Sequence, residues 1–313
     1  GEGEGEGEGE GEGEGALPDL GVNASLNGFR PFGAGDEWNR RVDGDTVAAN
    51  SDDLIDFYGR TARMKIDAGV TEEYYGIPYV VVPGTQPLVN IAYGTDGKDY
   101  SDESDPGPMP IPLNAPIESG STSAPNPTSG DRHILVIDRD NLMLYELYNV
   151  VRIPNGFRCT SSAIWDLTAT NNMRPAGWTS ADAGGMPIFP GLLKYEEAAA
   201  GEITHALRVT VESVRRAYTY PGNHFGPSTA TPRLAYGQRL RLKASFDETG
   251  FSGAALNIVH TLKHYGLIVA DQGSNFFITG VTSPGWEDAM SQIRSITGDD
   301  LEVLAPKFPV VGD

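Results

Sequence analysis

The stretch HILVIDRDNLMLYELYNVV, at residues 133–151, decides the fold class. Two runs rich in aliphatic and aromatic residues flank the turn signal DRDN at 138–141. Such runs on either side of a short polar turn are typical of a β-hairpin. The stretch therefore predicts two antiparallel strands near the middle of the chain.

Short strand signals recur on both sides of this hairpin. GIPYVVVPG (76–84) and LVNIAYG (88–94) are apolar runs that end in turn residues. QRLRLKASFD (238–247) alternates strictly between apolar and polar side chains, which predicts a half-buried strand. LIVAD (267–271) and NFFITG (275–280) predict a second hairpin around a Gln-Gly-Ser turn. The 39 glycines and 22 prolines of the chain separate many such short strands.

Helix signals are fewer. SGAALNIVHTLKHYG (252–266) has a serine cap, one apolar stripe and a terminal glycine. Weaker signals predict helices at 52–63 and 286–296. Because helices and strands do not alternate as in a βαβ fold, we predict a mainly β fold, β-sandwich-like or jelly-roll-like, or an α+β fold. Long loops and a few packed helices complete this prediction.

The chain divides into a spacer and a body. Residues 1–15, GEGEGEGEGEGEGEG, predict a disordered acidic Gly-Glu spacer, because glycine maximises backbone entropy and the glutamates repel one another. Residues 16–313 show no internal repeat and suit a single large β-rich domain. Within that domain, the polar segment 113–131 has no periodicity and is a candidate flap or boundary loop.

Charge and composition exclude several classes of protein. The formal net charge is −20 at pH 7, and removing the seven spacer glutamates leaves −13, so we expect no nucleic-acid partner. No apolar run approaches the roughly 18 residues of a membrane helix, so we expect no membrane span. Cys159 is the only cysteine, which rules out an intrachain disulfide. The sequence motifs of phosphate-binding loops, zinc proteases and α/β-hydrolases are absent.

The acidic stretch YSDESDPGPMPIP at 100–112 is the first candidate for chemistry. Asp102, Glu103 and Asp105 fall within four positions, before a rigid proline–glycine run. Glycosidases use two carboxylates about 5–10 Å apart, and crowding of like charges raises the pKa of one of them. The same three side chains offer the hard oxygens that Ca²⁺ prefers, although EF-hand spacing is absent. A solvated acidic turn is the third interpretation, and all three remain open.

The loop GWTSADAGG at 177–185 is the second candidate. A bulky indole has little reason to lie in a glycine-rich loop unless it packs or binds, and aromatic faces stack on sugar rings. Trp178 is therefore a candidate stacking platform, and Asp182 is a fourth acid/base candidate. The alternative is that Trp178 anchors the loop while Asp182 caps a turn.

Three histidines are candidates for a general base or a charge stabiliser. His133 and His205 open predicted strands, and His224 lies in the loop PGNHFG. If the three imidazoles converge at one sheet edge, they would also suit a metal. Purely structural roles are the alternative for each of them.

Two arginines and one further aspartate complete the candidates. Arg132 and Arg208 lie beside predicted strand starts and would bind the carboxylate of an acidic sugar. Pairing with the many aspartates of the chain is the alternative. Asp271, in the turn DQGSN, is the remaining carboxylate of interest.

Several stretches together resemble an uncharacterised group of secreted bacterial proteins, common in actinobacteria and myxobacteria. They are YSDESDPGPMPIP, GDRHILVIDRDN, LYELYN, GWTSADAGGMPIFPGL, HALRVTV and YGLIVADQGSNFFITG. The resemblance covers about 30–303 and implies an exported protein, without implying an activity. The spacer resembles those that follow the lipidated cysteine of bacterial outer-surface lipoproteins. It predicts a lipid-anchored tether upstream of residue 1, with an added linker as the alternative.

These observations predict an extracellular or cell-surface bacterial protein that acts on a polysaccharide or cell-surface glycan. A glycoside hydrolase or polysaccharide lyase would use the carboxylates of the 100–112 and 177–185 loops. In a lyase, a histidine or tyrosine would abstract the proton next to a uronate carboxylate that an arginine neutralises. No cofactor is required, and Ca²⁺ is the one considered. The alternative is a non-catalytic glycan-binding protein, adhesin or subunit of an extracellular assembly. A third interpretation is a structural domain that calcium stabilises.

Overall fold

The computed structural model describes residues 17–312, so the predicted spacer at 1–15 lies outside the described residues. Strand accounts for 26 % of the chain and helix for 15 %, which confirms the predicted mainly β or α+β class. The helices are α1 (Ser51–Tyr58), α2 (Tyr195–Ala200), α3 (Gly253–His264) and α4 (Trp286–Ile293). Among the described residues, no helix has the length and apolar character to cross a membrane.

The strands are short, as the spacing of glycine and proline predicts. In chain order they are β1 (Gly21–Val22), β2 (Lys65–Asp67), β3 (Tyr79–Val82), β4 (Asn90–Tyr93), β5 (Ile134–Asp138), β6 (Met143–Tyr148), β7 (Val151–Ile153), β8 (Gly156–Cys159), β9 (Ser161–Asp166), β10 (Leu207–Val211), β11 (Ala217–Tyr218), β12 (Arg239–Leu242), β13 (Leu267–Gln272), β14 (Phe277–Thr279), β15 (Leu301–Val303) and β16 (Val311–Gly312).

The predicted central hairpin forms the middle of a five-stranded sheet with the order β1-β3-β5-β6-β9. β5 and β6 pair antiparallel, with Ile134 opposite Leu147 and Asp138 opposite Met143, so this prediction is confirmed. β3 and β5 run parallel, whereas the other pairs are antiparallel. The start of β5, the end of β6 and the start of β9 therefore meet at one edge of this sheet.

A six-stranded mixed sheet has the order β15-β12-β13-β10-β14-β2. The predicted hairpin of β13 and β14 is wrong, because β10 lies between them, parallel to β13 and antiparallel to β14. All five residues of β10 are buried, so this strand gains more apolar contact at the centre of the sheet than at an edge. Two smaller sheets have the orders β11-β16 and β4-β8-β7.

The molecule is layered, and the period of two along the strands shows how. In β13, Leu267 and Val269 pack among residues of α1, α3 and α4, while Ile268 and Ala270 pack against the five-stranded sheet. In β5, Leu135 and Ile137 join that shared core, and Ile134 and Val136 belong to a third cluster around Phe157. Alternation of side chains across a strand thus connects helices, two large sheets and the three-stranded sheet.

Two element predictions need correction. β12 covers only residues 239–242, and all four are buried, so the predicted half-buried strand is wrong. Its arginines find partners inside the protein: Arg239 donates to the carbonyl of Tyr265, and Arg241 pairs with Glu302. α1 ends at Tyr58, earlier than predicted, because Gly59 leaves the helix with φ +98°.

Candidate functional site

A cleft of about 490 Å³ lies where edges of the two larger sheets approach each other. The five-stranded sheet contributes His133, directly before β5, and Tyr148 at the end of β6. The six-stranded sheet contributes Asp271 near the end of β13. The 100–112 and 177–185 loops contribute Glu103 and Asp182 to the same cleft. A concave site with several polar side chains is the usual form of a small-molecule or substrate site.

Arg174 joins the two loops that the sequence singled out. Its Nε donates to the carbonyl of Thr179 at 2.7 Å, and its Nη2 donates to the carbonyl of Glu103 at 2.8 Å. Its Nη1 pairs with the carboxylate of Asp105, and its guanidinium lies 5.5 Å from the ring centre of Trp178. Arg174 is buried, so these contacts fix the loops to each other at the cleft edge.

Asp182 is held in a buried ion pair behind the cleft surface. The Arg208 Nε donates to Oδ2 at 3.0 Å and Nη2 donates to Oδ1 at 2.8 Å. Locally, Ser180 shapes this turn, since its hydroxyl accepts the N–H of Asp182 and donates to the carbonyl of Met186. Both carboxylate oxygens are therefore engaged, and Asp182 mainly orients Arg208 and offsets its charge.

Asp271 is the carboxyl group best placed for proton transfer. Its Oδ2 lies 3.7 Å from the same Nη2 of Arg208 that binds Asp182, and part of its side chain faces the cleft. Burial and the charge of Asp182 raise the pKa of Asp271 above its usual range, and Arg208 opposes this only in part. Because Asp182 already neutralises Arg208, Asp271 has an environment that favours its protonated form.

His133 supplies a fixed positive charge at the base of the cleft. Its Nδ1 contacts Glu118 Oε2 at 2.6 Å, and its Nε2 lies 3.1 Å from the carbonyl of Ala181. Burial alone would lower the pKa of His133, but the charge and hydrogen bond of Glu118 raise it to about 9. The protonated imidazole thereby donates to both neighbours and ties the 113–131 segment to the 177–185 loop.

Glu103 and His224 form a more open pair in the cleft. Glu103 Oε2 accepts the N–H of Thr179 at 2.9 Å and lies 3.8 Å from the Nε2 of His224. The other ring nitrogen of His224 lies 3.2 Å from the carbonyl of Ala183. Both side chains are about one-third exposed, so each can reach a ligand.

Tyr148 completes the polar lining on the side of the five-stranded sheet. Its ring packs 5.4 Å from that of His133, measured between ring centres. Burial, with the charges of Asp131 and Asp271, raises the pKa of Tyr148 to about 12, so its hydroxyl stays protonated at neutral pH. It can therefore donate a hydrogen bond to a ligand in the cleft.

The structure brings together only part of the predicted site. Glu103, Asp182, His133 and His224 line the cleft, and Arg208 lies directly behind it. The predicted acid/base roles of these residues stay predictions. The sequence predicted a site between the 100–112 and 177–185 loops, and Glu103 and Asp182 come from these two loops.

The other predicted residues lie elsewhere and have other partners. Asp102 is exposed in a short 3₁₀ turn at 101–103, and Asp105 accepts from the N–H of Ile164 as well as pairing with Arg174. His205 contacts Glu197 and the carbonyl of Ala206, outside the cleft. Trp178 is half-buried against Arg174, and Arg132 pairs with Asp96. For these five residues the structure favours the structural alternative over contact with a cleft ligand.

The described residues contain no group of three or more His, Cys, Asp or Glu side chains arranged to hold a metal ion. Within the predicted calcium loop, Glu103 turns to Thr179 and Asp105 turns to Arg174. The three carboxylates thus do not converge on one point. The calcium hypothesis stays a prediction, and a rise in melting temperature between EGTA and millimolar Ca²⁺ would support it.

Sequence reasoning gave Asp271 too little weight and missed Tyr148 and Asp131. The available signal was position: Asp271 ends a run of apolar residues, LIVAD, at the point where a buried strand meets a turn. Tyr148 likewise ends the second strand of the central hairpin. Binding sites often form where strands end and loops begin, so polar side chains at strand ends are candidates for such sites.

Comparison of the chain with protein-family models, with curated protein sequences and with solved structures found no match. The proposal below therefore rests on the geometry and chemistry of the cleft.

Proposed function

We propose that the protein is a secreted glycoside hydrolase that cleaves a polysaccharide or cell-surface glycan in this cleft. The observation that carries the proposal is Asp271, a cleft carboxyl group whose pKa is raised by burial and by Asp182. Glycosidic oxygen is a poor leaving group unless it is protonated, and a carboxylic acid that remains protonated near neutral pH can supply this proton.

The other residues take roles that follow from their contacts. Asp271 is the proton donor, and Glu103 is the second carboxylate, acting on water or on the sugar directly. Asp182 and Arg208 are positioning residues, because they contact each other and set the environment of Asp271. The hydroxyl of Tyr148 and the imidazole of His224 bind hydroxyl groups of the sugar.

The charge of the cleft favours a hydrolase over a lyase. Glu103 and Asp131 line it beside the protonated Asp271, whereas Lys98 is the one lysine or arginine among the described lining residues. The positive charges of Arg208 and His133 are each paired with a carboxylate. A uronate, which a lyase must bind, would be repelled, and a neutral sugar would not.

Export and surface attachment remain part of the proposal. The resemblance to secreted bacterial proteins and the Gly-Glu sequence at 1–15 support an extracellular or cell-surface location. A lipid anchor upstream of residue 1 would hold the domain away from the membrane on that spacer.

A glycan-binding protein without catalysis is the second candidate. The observation that favours it is that Tyr100 and Phe225 are exposed at the cleft, where aromatic faces serve binding as well as catalysis. In this case oligosaccharides bind to the wild-type protein and no products form.

The test is a product screen by mass spectrometry on neutral and uronic polysaccharides. We expect products at hydrolysed mass from a neutral polymer and about a 1,000-fold loss of rate in Asp271→Asn and Glu103→Gln, because general acid–base catalysis contributes about 10²- to 10⁴-fold. Asp102→Asn is the matched control, because Asp102 does not line the cleft. Products lacking one water would identify a lyase, and full activity in Asp271→Asn would refute the assigned acid.

A further inference from the structure

We infer that Tyr100 and Phe225 are the sugar-stacking residues of the cleft and that they select a glycan of neutral pyranose rings. This inference rests on the proposed function, since it concerns the same cleft. It assigns stacking to two residues that the sequence did not single out, in place of Trp178.

Exposure separates these two residues from the other aromatic side chains. Three aromatic residues among those described are at least 36 % exposed: Tyr75 at 56 %, Tyr100 at 43 % and Phe225 at 36 %. Two of the three, Tyr100 and Phe225, line the cleft. Exposed aromatic surface is costly unless something covers it, so its concentration at one cleft indicates a ligand with apolar faces.

Tyr100 is held through its backbone and Phe225 through its ring. The N–H of Tyr100 donates to the carbonyl of Thr160 at 3.0 Å, beside the five-stranded sheet. The ring of Phe225 packs edge-to-face on the buried Tyr218, with 4.9 Å between ring centres. Because the backbone of Tyr100 and the ring of Phe225 are already held, binding of a ligand need not order either of them, which limits the loss of conformational entropy.

Their place along the chain puts them next to the polar groups of the cleft. Tyr100 precedes Glu103 by one turn, and its carbonyl accepts the N–H of Glu103 at 3.0 Å. Phe225 directly follows His224, and Glu103 and His224 approach each other to 3.8 Å. A ring that rests on either aromatic face therefore presents its hydroxyl groups to Glu103 or His224.

The chemistry of the cleft identifies the occupant as a neutral pyranose. Such rings have C–H groups on their faces, which contact aromatic rings, and hydroxyl groups at their edges, which bind carboxylates and imidazoles. The lining carboxylates Glu103 and Asp131 disfavour a uronic acid at the same position.

Trp178, the aromatic residue favoured by the sequence, is occupied differently. It is half-buried, and the guanidinium of Arg174 covers its ring at 5.5 Å from the centre. A cation over the face of an indole occupies the surface that a sugar would use. Trp178 does not line the cleft.

The test is calorimetric titration of the Asp271→Asn protein with six-residue cello-, xylo-, manno-, laminari- and N-acetylchito-oligosaccharides. The substitution keeps a bound probe from being consumed. We expect at least one probe to bind, and we expect Tyr100→Ala and Phe225→Ala each to weaken its binding about tenfold. Tyr100→Phe should retain most of the affinity, because it keeps the ring.

Tyr75→Ala and Leu88→Ala are the controls, since both residues are exposed and neither lines the cleft. Unchanged affinity in both Tyr100→Ala and Phe225→Ala, or no binding by any probe, would overturn the inference. The proposed function fails separately: a probe that binds through both aromatic residues but is never cleaved by the wild-type protein refutes hydrolysis alone. Cleavage with normal KM in both alanine variants refutes stacking alone.

Discussion

At the scale of single residues, the chemistry of the cleft depends on how its charges are paired. Arg208 contacts two aspartates but engages only Asp182 through two hydrogen bonds, which leaves Asp271 beside a cation that is already neutralised. The same principle operates at His133, where Glu118 offsets the cost of burying an imidazolium. Each buried ion is tolerated because its partner is buried with it.

His133 and Glu118 give a prediction about stability and pH. Replacing His133 with Gln leaves the carboxylate of Glu118 in the protein without its cation, so we expect a loss of about 3 kcal/mol in the free energy of unfolding at pH 6. The folded-state pKa of His133, about 9, lies above the usual value of about 6.5. The contribution is therefore complete below about pH 6.5 and disappears as the pH rises through about 9.

Urea unfolding at pH 6, 8 and 10 measures this effect. The difference between wild type and His133→Gln should shrink at pH 10. His260→Gln is the matched control, because His260 pairs with Glu248 but is 35 % exposed, and its effect should stay below about 1 kcal/mol. A pH-independent difference at His133 would contradict the protonated pair.

The sequence predicted several residues of the candidate site but did not predict their ion-pair partners. Asp182, Glu103 and His133 were candidates because of their type and their loops, and they do line the cleft. Asp105 was an equal candidate, but Arg174, which is distant in sequence, binds it. The sequence shows which residues are neighbours along the chain. It does not show which distant arginine, lysine or histidine each carboxylate will pair with.

At the scale of elements, Arg174 is the connection between the loops on which the site depends. Its guanidinium binds the carbonyls of Glu103 and Thr179 and lies near the rings of Trp165 and Trp178. Among the described residues, the one direct hydrogen bond between the 101–103 turn and the 177–185 loop is the bond that Glu103 accepts from the N–H of Thr179. The position of Glu103 in the cleft thus depends on Arg174, which does not itself line the cleft.

Arg174→Met keeps much of the side-chain volume and removes the donors. We expect the free energy of unfolding to fall by about 3 kcal/mol, because the substitution leaves buried carbonyls and a carboxylate without their cation. We also expect the rate of glycan cleavage to fall with little change in the pH profile, since Asp271 is unaffected. Arg41→Met, at an exposed pair with Asp43, is the control and should change neither quantity appreciably. Equal stability of Arg174→Met and wild type would contradict this account.

Elements were predicted well where both partners are close in sequence. The β5–β6 hairpin formed as expected, because its turn and its two apolar runs are adjacent. The predicted pairing of β13 with β14 was wrong, because β10 lies between these two strands. β10 comes more than fifty residues earlier in the chain, and all five of its residues are buried at this position. Local signals identify strands, and competition for burial decides which strands become neighbours.

At the scale of the whole molecule, two features combine in the cleft. The layers of sheets bring strand ends from two sheets together, and the acidic composition leaves that meeting point rich in carboxylates. The formal net charge of −20 extends the same bias over the chain. Under the proposed function, the net charge of the whole molecule would therefore contribute to substrate selection together with the contacts in the cleft.

The net negative charge predicts that the preference for neutral over uronic glycans depends on the salt concentration. We expect neutral glycans to be cleaved at rates that vary less than twofold between about 20 mM and 500 mM NaCl, because no long-range force acts on them. Uronic polymers should bind poorly at low salt and gain affinity as salt screens the repulsion. Calorimetric titration at both salt concentrations measures this. Tighter binding of a uronic polymer at low salt would contradict the prediction.

The proposed hydrolysis depends most on one property of the molecule, which is that Asp271 stays protonated near neutral pH. The direct measurement is a ¹³C NMR titration of side-chain carboxyl groups, with the resonance of Asp271 assigned by its loss in Asp271→Asn. We expect a midpoint well above the usual value of about 3.9, and a shift toward that value in Asp182→Asn, where Arg208 is free to pair with Asp271. A midpoint near 3.9 in the wild-type protein would contradict the account.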